Sequence, residues 1–147
     1  MSEQKKENYI IRIKSCIEQD DEPQIVELTT KGQYHDRNGS YYITYKENSG
    51  IGYEGCSVTI KVAQDGSKVT LMRFGKINTQ MLIERGRRNV CHYETGFGSI
   101  TMGVSADEII SELNSKGGRV QFSYILDADS SGLVSKSKLD ISVAHIN

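Results

Sequence analysis

The chain has 147 residues and a formal net charge of −1, enough length for one domain built on a single core or a closed barrel. It carries 16 Ile, 9 Val, 8 Tyr and 8 Thr against 4 Ala and 7 Leu, a balance that favours pleated strands over helices. No stretch approaches the roughly 18 consecutive apolar residues of a membrane-spanning helix, and Cys16, Cys56 and Cys91 are too few and too scattered for a disulfide framework.

Residues 1–8 are polar and read as an N-terminal arm. The opening MSEQKKENY is charged and followed by only two consecutive apolar residues, so no secretory signal is expected and a cytoplasmic location is. A single domain is expected over 9–147. Strand one is predicted at 9–18, with Tyr9, Ile11, Ile13, Ser15 and Ile17 on one face. The turn that follows holds Pro23, placed outside any ladder. Strand two (25–35) aligns Val26, Leu28, Thr30, Gly32 and Tyr34, and Asp36, Asn38 and Gly39 then make a turn.

Strand three (40–48) puts Tyr41, Ile43, Tyr45 and Glu47 in phase. Strand four (56–64) sends Val58, Ile60 and Val62 inward. Asp65-Gly66 is a strong hairpin signal for a type I′ turn, in which both central residues take positive φ. Strand five (68–74) aligns Val69, Leu71 and Arg73, and strand six (79–85) aligns Met81, Ile83 and Arg85. Strand seven (88–95) is ambiguous: one phase turns Tyr93 and Thr95 inward, the other Val90 and His92. Strand eight (98–105) aligns Ile100, Met102 and Val104.

The next segment, 105–117, supports two readings. Ser105 and Glu108 form a capping box and Gly117 a C-terminal cap, which predicts a short helix over 106–115. Its apolar set is only Ile109, Ile110 and Leu113, and a kinked extension of strand eight fits equally well. Strand nine (118–127) aligns Val120, Phe122, Tyr124 and Leu126, and strand ten (133–146) aligns Leu139, Ile141 and Val143. Ten short strands with tight turns predict an all-β, closed, antiparallel up-and-down β-barrel, in which the first and last strands pair and no edge is left exposed. A β-sandwich is the alternative.

YYITYKE at 41–47, then G-x-x-x-T-x-K-V, VTLMRFG, MLIERG, Y-x-T-x-F-G and a late G-x-V-x-x-x-Y-x-L occur in that order from about residue 9 to 146. In this the chain resembles the YwiB-like bacterial family, a domain family of unknown function with a calycin-type β-barrel. The resemblance implies an architecture related to lipocalins and fatty-acid-binding proteins. It supplies no reaction, and the lipocalin G-x-W signature is absent from a chain without tryptophan.

Several motifs fail on their context. Gly50-x-Gly52-x-x-Gly55 spells a dinucleotide fingerprint, but a strand follows where the phosphate-binding helix should open. Asp127-x-Asp129-x-Ser131-Gly132 begins like a calcium loop, yet Lys138 stands where the bidentate Glu is required. His35, His92 and His145 lack metal-ligand spacing, and no nucleophile elbow occurs, so neither metal, cofactor nor catalytic residues are expected. Net charges of −3, +5 and −3 over residues 1–60, 61–92 and 93–147 leave the basic middle, with Arg85, Arg87 and Arg88, as a nucleic-acid candidate. Such a bias is more often a solvated surface.

The informative oddity is polar residues in phase with an apolar face. Arg73 follows Val69 and Leu71 inward, and Tyr45 and Glu47 follow Ile43. Buried charges need partners, so an internal Arg73–Glu47 pair is one reading. The other is an anchor for a small anionic or amphipathic ligand in the barrel interior, with Arg73, Glu47, Tyr45, Tyr93 and Tyr124 as its binding residues. The alternative to a ligand-binding barrel is a packed structural or protein-interaction module, monomeric or dimeric.

Overall fold

The computed structural model describes residues 8–19, 22–47, 56–75, 78–95, 98–128 and 132–146. These form ten antiparallel strands: β1 (Tyr9–Gln19), β2 (Glu22–Arg37), β3 (Ser40–Lys46), β4 (Ser57–Ala63), β5 (Lys68–Phe74), β6 (Thr79–Glu84), β7 (Arg88–Thr95), β8 (Gly98–Asn114), β9 (Gly117–Ala128) and β10 (Gly132–His145). They lie in one sheet in the order β6-β5-β4-β3-β2-β1-β10-β9-β8-β7. The first and last strands pair over Tyr9↔His145 to Glu18↔Lys136, and the Ile146 amide donates to the Asn8 carbonyl at 2.8 Å. The sheet curls into a nearly closed barrel.

Closure is incomplete at one place. Among the described residues no ladder joins β6 to β7, although they are consecutive in the chain. Side chains bridge this seam instead. The Asn89 amide donates to the Leu82 carbonyl at 3.3 Å and lies 3.4 Å from a Glu84 carboxylate oxygen.

Alternation decides which face is buried. Ile11, Ile43, Val58, Ile60, Val62, Val69, Ile83, Val120 and Ile141 are all fully enclosed, each β-branched and therefore rotamer-restricted on a pleated surface. Each such side chain contributes about 1.5–3 kcal/mol through removal from water. In β7, Cys91 is buried while Val90 and His92 are exposed, which settles the ambiguous phase.

One end of the barrel is plugged by aromatics. The Tyr34 ring stacks on Tyr41 at 5.9 Å and tilts against Tyr9 at 5.5 Å. Its hydroxyl donates to the Asn114 carbonyl at 2.7 Å, tying β2 to β8.

Three local expectations are corrected. The segment 106–115 is not a helix: β8 continues to Asn114, paired to β9 as far as Asn114↔Gly117. A bulge between Ala106 and Glu108 absorbs Asp107, whose carboxylate meets Lys136 Nζ at 3.3 Å and accepts from Ser123 at 3.1 Å. Beyond it Ile109 is buried and Ile110 exposed, the two-residue period of a strand. Long-range pairing outweighs the capping box. Pro23 lies inside β2, opposite Glu18, where β2 has β1 on one side and, among the described residues, no strand partner on the other until Gly32. A missing N–H is tolerated on such an edge.

The remaining correction is the hairpin turn. The type I′ geometry belongs to Asn38-Gly39, with φ of 51° and 80° between Arg37 and Ser40. At Asp65-Gly66 only Gly66 has positive φ, 74°, and its amide donates to the Ala63 carbonyl at 2.9 Å, which makes a longer turn. Of the expected arm over 1–8, Asn8 is tied to Ile146 and residues 1–7 lie outside the described residues.

Candidate functional site

The strand register builds a polar site inside the barrel. Tyr45↔Val58 and Val58↔Arg73 set Tyr45 and Arg73 in one cross-strand row over β3, β4 and β5. Glu47 is two residues beyond Tyr45 on the same face, and its amide donates to the Cys56 carbonyl at 2.9 Å. Facing them are β1, β2, β9 and β10, where Ile17↔Ser137 and Ser137↔Tyr124 form a second row. Between these walls is a cavity of about 110 Å³.

Its polar lining is Tyr45, Glu47, Arg73, Tyr124, Ser15 and Ser137. Its apolar lining is Ile13, Ile17, Val26, Leu28, Leu71 and Leu139. Glu47 is only 5% exposed, whereas Ile17 at the mouth is 37% exposed. The cavity sits at the end of the barrel opposite the tyrosine plug. Burial raises the Tyr45 phenol far above its ordinary value; the Glu47 carboxylate adds to the shift and the Arg73 guanidinium opposes it. Tyr45 is therefore a neutral donor and acceptor at any physiological pH.

Four of the five residues expected to bind a ligand, Arg73, Glu47, Tyr45 and Tyr124, line this one cavity. Tyr93 lies in β7 opposite Ile100, and its side chain is outside the described residues. Ser15 and Ser137 were missed. The signal was present, since Ser15 alternates in phase with Ile13 and Ile17, and Ser137 with Leu139.

The rejected motifs can also be placed. Residues 48–55, with the three glycines, lie outside the described residues, and β4 follows them directly. Asp127 is held by Arg88 from β7, and Lys138 sits within β10; residues 129–131 are outside the described residues. The histidines are dispersed: His35 lies 3.4 Å from Gln33, His92 lies 3.3 Å from Thr101, and His145 packs edge-on against Tyr9. Among the described residues no three His, Cys, Asp or Glu side chains cluster as a metal would need.

Three described arginines of the basic stretch are engaged in different places. Arg73 points into the cavity, Arg85 donates to the carbonyls of Gly66 and Ile109, and Arg88 is paired with Asp127. Lys61 lies over the Tyr42 ring, 5.7 Å from its centroid, on the outer surface.

Residues 11–141 match the family described as "Domain of unknown function (DUF1934)". The chain belongs to that family. It is 26% identical over 114 residues, 78% of each chain, to the uncharacterized β-barrel protein YwiB of Bacillus subtilis (strain 168). The crystal structure of the ywiB protein from Bacillus subtilis superposes with a TM-score of 0.79 at 24% identity, covering 97% of this chain and 95% of that one. The likeness to that structure establishes the fold. Among the described residues no helix is long and apolar enough to cross a membrane, a statement that does not bear on β-barrels.

Proposed function

We propose that this protein is a calycin-like cytoplasmic barrel that binds a small anionic or amphipathic molecule inside its open end, anchored by Arg73. One observation carries the reading: Arg73, Glu47, Tyr45 and Tyr124 converge with two serine hydroxyls on a single cavity whose remaining walls are aliphatic. Binding sites combine apolar walls with a few placed polar groups in this way. Three free cysteines, two of them buried, agree with a reducing compartment.

The size of the cavity restricts the ligand. Pockets for drug-sized molecules occupy about 300–1,000 Å³, and 110 Å³ excludes a wholly enclosed fatty acid. The same smallness favours a second reading, a packed structural barrel in which the polar groups satisfy one another. Native mass spectrometry of freshly purified protein separates the two. Ligand binding predicts a retained adduct of low mass that Arg73→Met abolishes. An empty wild-type chain that also takes up no small acids when they are added would end the proposal.

A further inference from the structure

β2 pairs with β1 from Glu22 to Gly32 and with β3 from Gly32 to Arg37. From Glu22 to Lys31 its second edge therefore has no ladder partner among the described residues. β3 turns away at this point. Its ladder with β2 stops at Tyr45, while the Glu47 amide still bonds the Cys56 carbonyl on the other side.

The hairpin between β2 and β3 fixes which backbone groups face that edge. Residues flanking a two-residue turn exchange hydrogen bonds, so Arg37, paired with Ser40 across Asn38-Gly39, points its N–H and C=O toward β3. This direction alternates along a strand, and Ile25, Glu27 and Thr29 share the phase of Arg37. Their backbone groups point away from β1. Pro23 is in the same phase, and its missing N–H is tolerated where it faces off the sheet. The side chains of Ile25, Glu27 and Thr29 are exposed, Ile25 by 60%, while Val26 and Leu28 alternate inward as cavity wall.

An uncovered edge is a template for another strand, and the residues of this one complement themselves in a single register. A two-fold antiparallel self-pairing can be centred on Glu27, Leu28 or Thr29. On Glu27, two carboxylates stand directly opposite, which is destabilising. On Thr29, Ile25 meets Gln33, whose backbone already pairs with Thr44 of β3. On Leu28, Glu27 faces the partner's Thr29 and Ile25 faces the partner's Lys31. Glu27 is then the diagonal neighbour of the partner's Lys31, within reach of that long side chain, and the two-fold axis repeats the attraction. Leu28 meets its own copy on the inner face.

We infer that β2 pairs with β2 of a second copy of this chain, antiparallel and centred on Leu28, joining two barrels through the Ile25–Thr29 edge. This contact goes beyond the ligand-binding reading and holds whether or not the cavity is filled.

Sedimentation velocity of the full chain, from micromolar to millimolar concentration, is expected to show a monomer–dimer equilibrium. Thr29→Pro removes an N–H that faces the partner and leaves the ladder with β1 alone. It should weaken dimerisation by about tenfold or more, since a hydrogen bond is lost on each side of the axis. Two charge variants separate this contact from simple damage to the fold. Glu27→Lys and Lys31→Glu should each associate more weakly alone, because each sets like charges against one another. An equimolar mixture of the two variants should dimerise again, with opposite charges restored across the axis. A wild-type chain that stays monomeric throughout would overturn the pairing. So would a dimer that Thr29→Pro leaves intact, or charge variants that fail to associate when mixed.

Discussion

Arg88 on β7 reaches Asp127 on β9 by lying across the intervening strand, and it can do so because residue 103 beneath it is glycine. Its Nε stands 3.1 Å from both carboxylate oxygens of Asp127. A Cβ on Gly103 would overlap the guanidinium itself. The pair thus fastens β7, which borders the seam, to a strand two places away.

Gly103→Ala is expected to break this pair with little damage to the barrel, because the obstructing atoms are the far end of a flexible side chain. The NMR signal of the Arg88 Nε–H should lose its protection from exchange while the fold persists. Gly32→Ala is expected to behave very differently. A methyl there meets the backbone carbonyl of Thr44 as well as Ile11, and a carbonyl in a ladder cannot step aside. Urea unfolding should show a loss of about 3 kcal/mol or more, and a silent Gly32→Ala would refute the close approach of β2 to β3.

Acid should weaken the barrel through three aspartates. Hydrogen bonds from Arg88 to Asp127, from Lys136 to Asp107 and from Arg119 to Asp140 hold each carboxyl below its ordinary value. A lowered folded-state value means that the unfolded chain binds more protons as the pH falls. The stabilisation is complete well above the unfolded value of about 3.9 and is lost progressively below it. Thermal midpoints measured from pH 7 down to pH 3 should fall, and Asp127→Asn should flatten the slope.

At the alkaline limit the sign reverses. Burial first, then neighbouring groups, raise the phenols of Tyr34 and Tyr45 far above their ordinary value. Stability from these groups is intact below about pH 10, the unfolded value, and declines as pH rises beyond it. Ultraviolet titration should find at least two of the eight tyrosines silent until the protein unfolds. Tyr34→Phe should remove one of them and cost about 1 kcal/mol, through loss of the bond to Asn114.

Arg73 and Glu47 should be energetically coupled. Arg73→Met leaves the enclosed Glu47 carboxylate without the cation in its cavity and should destabilise by about 3 kcal/mol. Adding Glu47→Leu should recover most of that loss, since an apolar pair can replace a buried ionic one. Additive single and double mutants in urea titrations would show that the two charges do not act on each other.

The sequence made the barrel legible wherever an alternating strand has one dry face. From Ile43, Tyr45 and Glu47, and from Val69, Leu71 and Arg73, the polar site could be read by phase alone. Features set by the second neighbour of a strand were not legible. Pro23 looked like a ladder breaker because nothing local reveals that, among the described residues, β2 pairs only with β1 there. Ser105 and Glu108 carried a genuine local helix signal, overridden by pairing with β9 that the segment itself does not encode. The unpaired β6–β7 boundary was hidden for the opposite reason, since a tight turn ordinarily implies a hairpin.

That boundary gives the barrel two kinds of closure, which never coincide. Between β1 and β10 the wall is continuous in hydrogen bonds and broken in the backbone. Between β6 and β7 it is continuous in the backbone and, among the described residues, broken in the ladder. A circular permutant that joins residues 8 and 146 and is cut at Gly86 would put both breaks in the same place. The wall could then part like a split ring, whereas a cut at Asn38-Gly39 would leave the covalent link across the boundary intact.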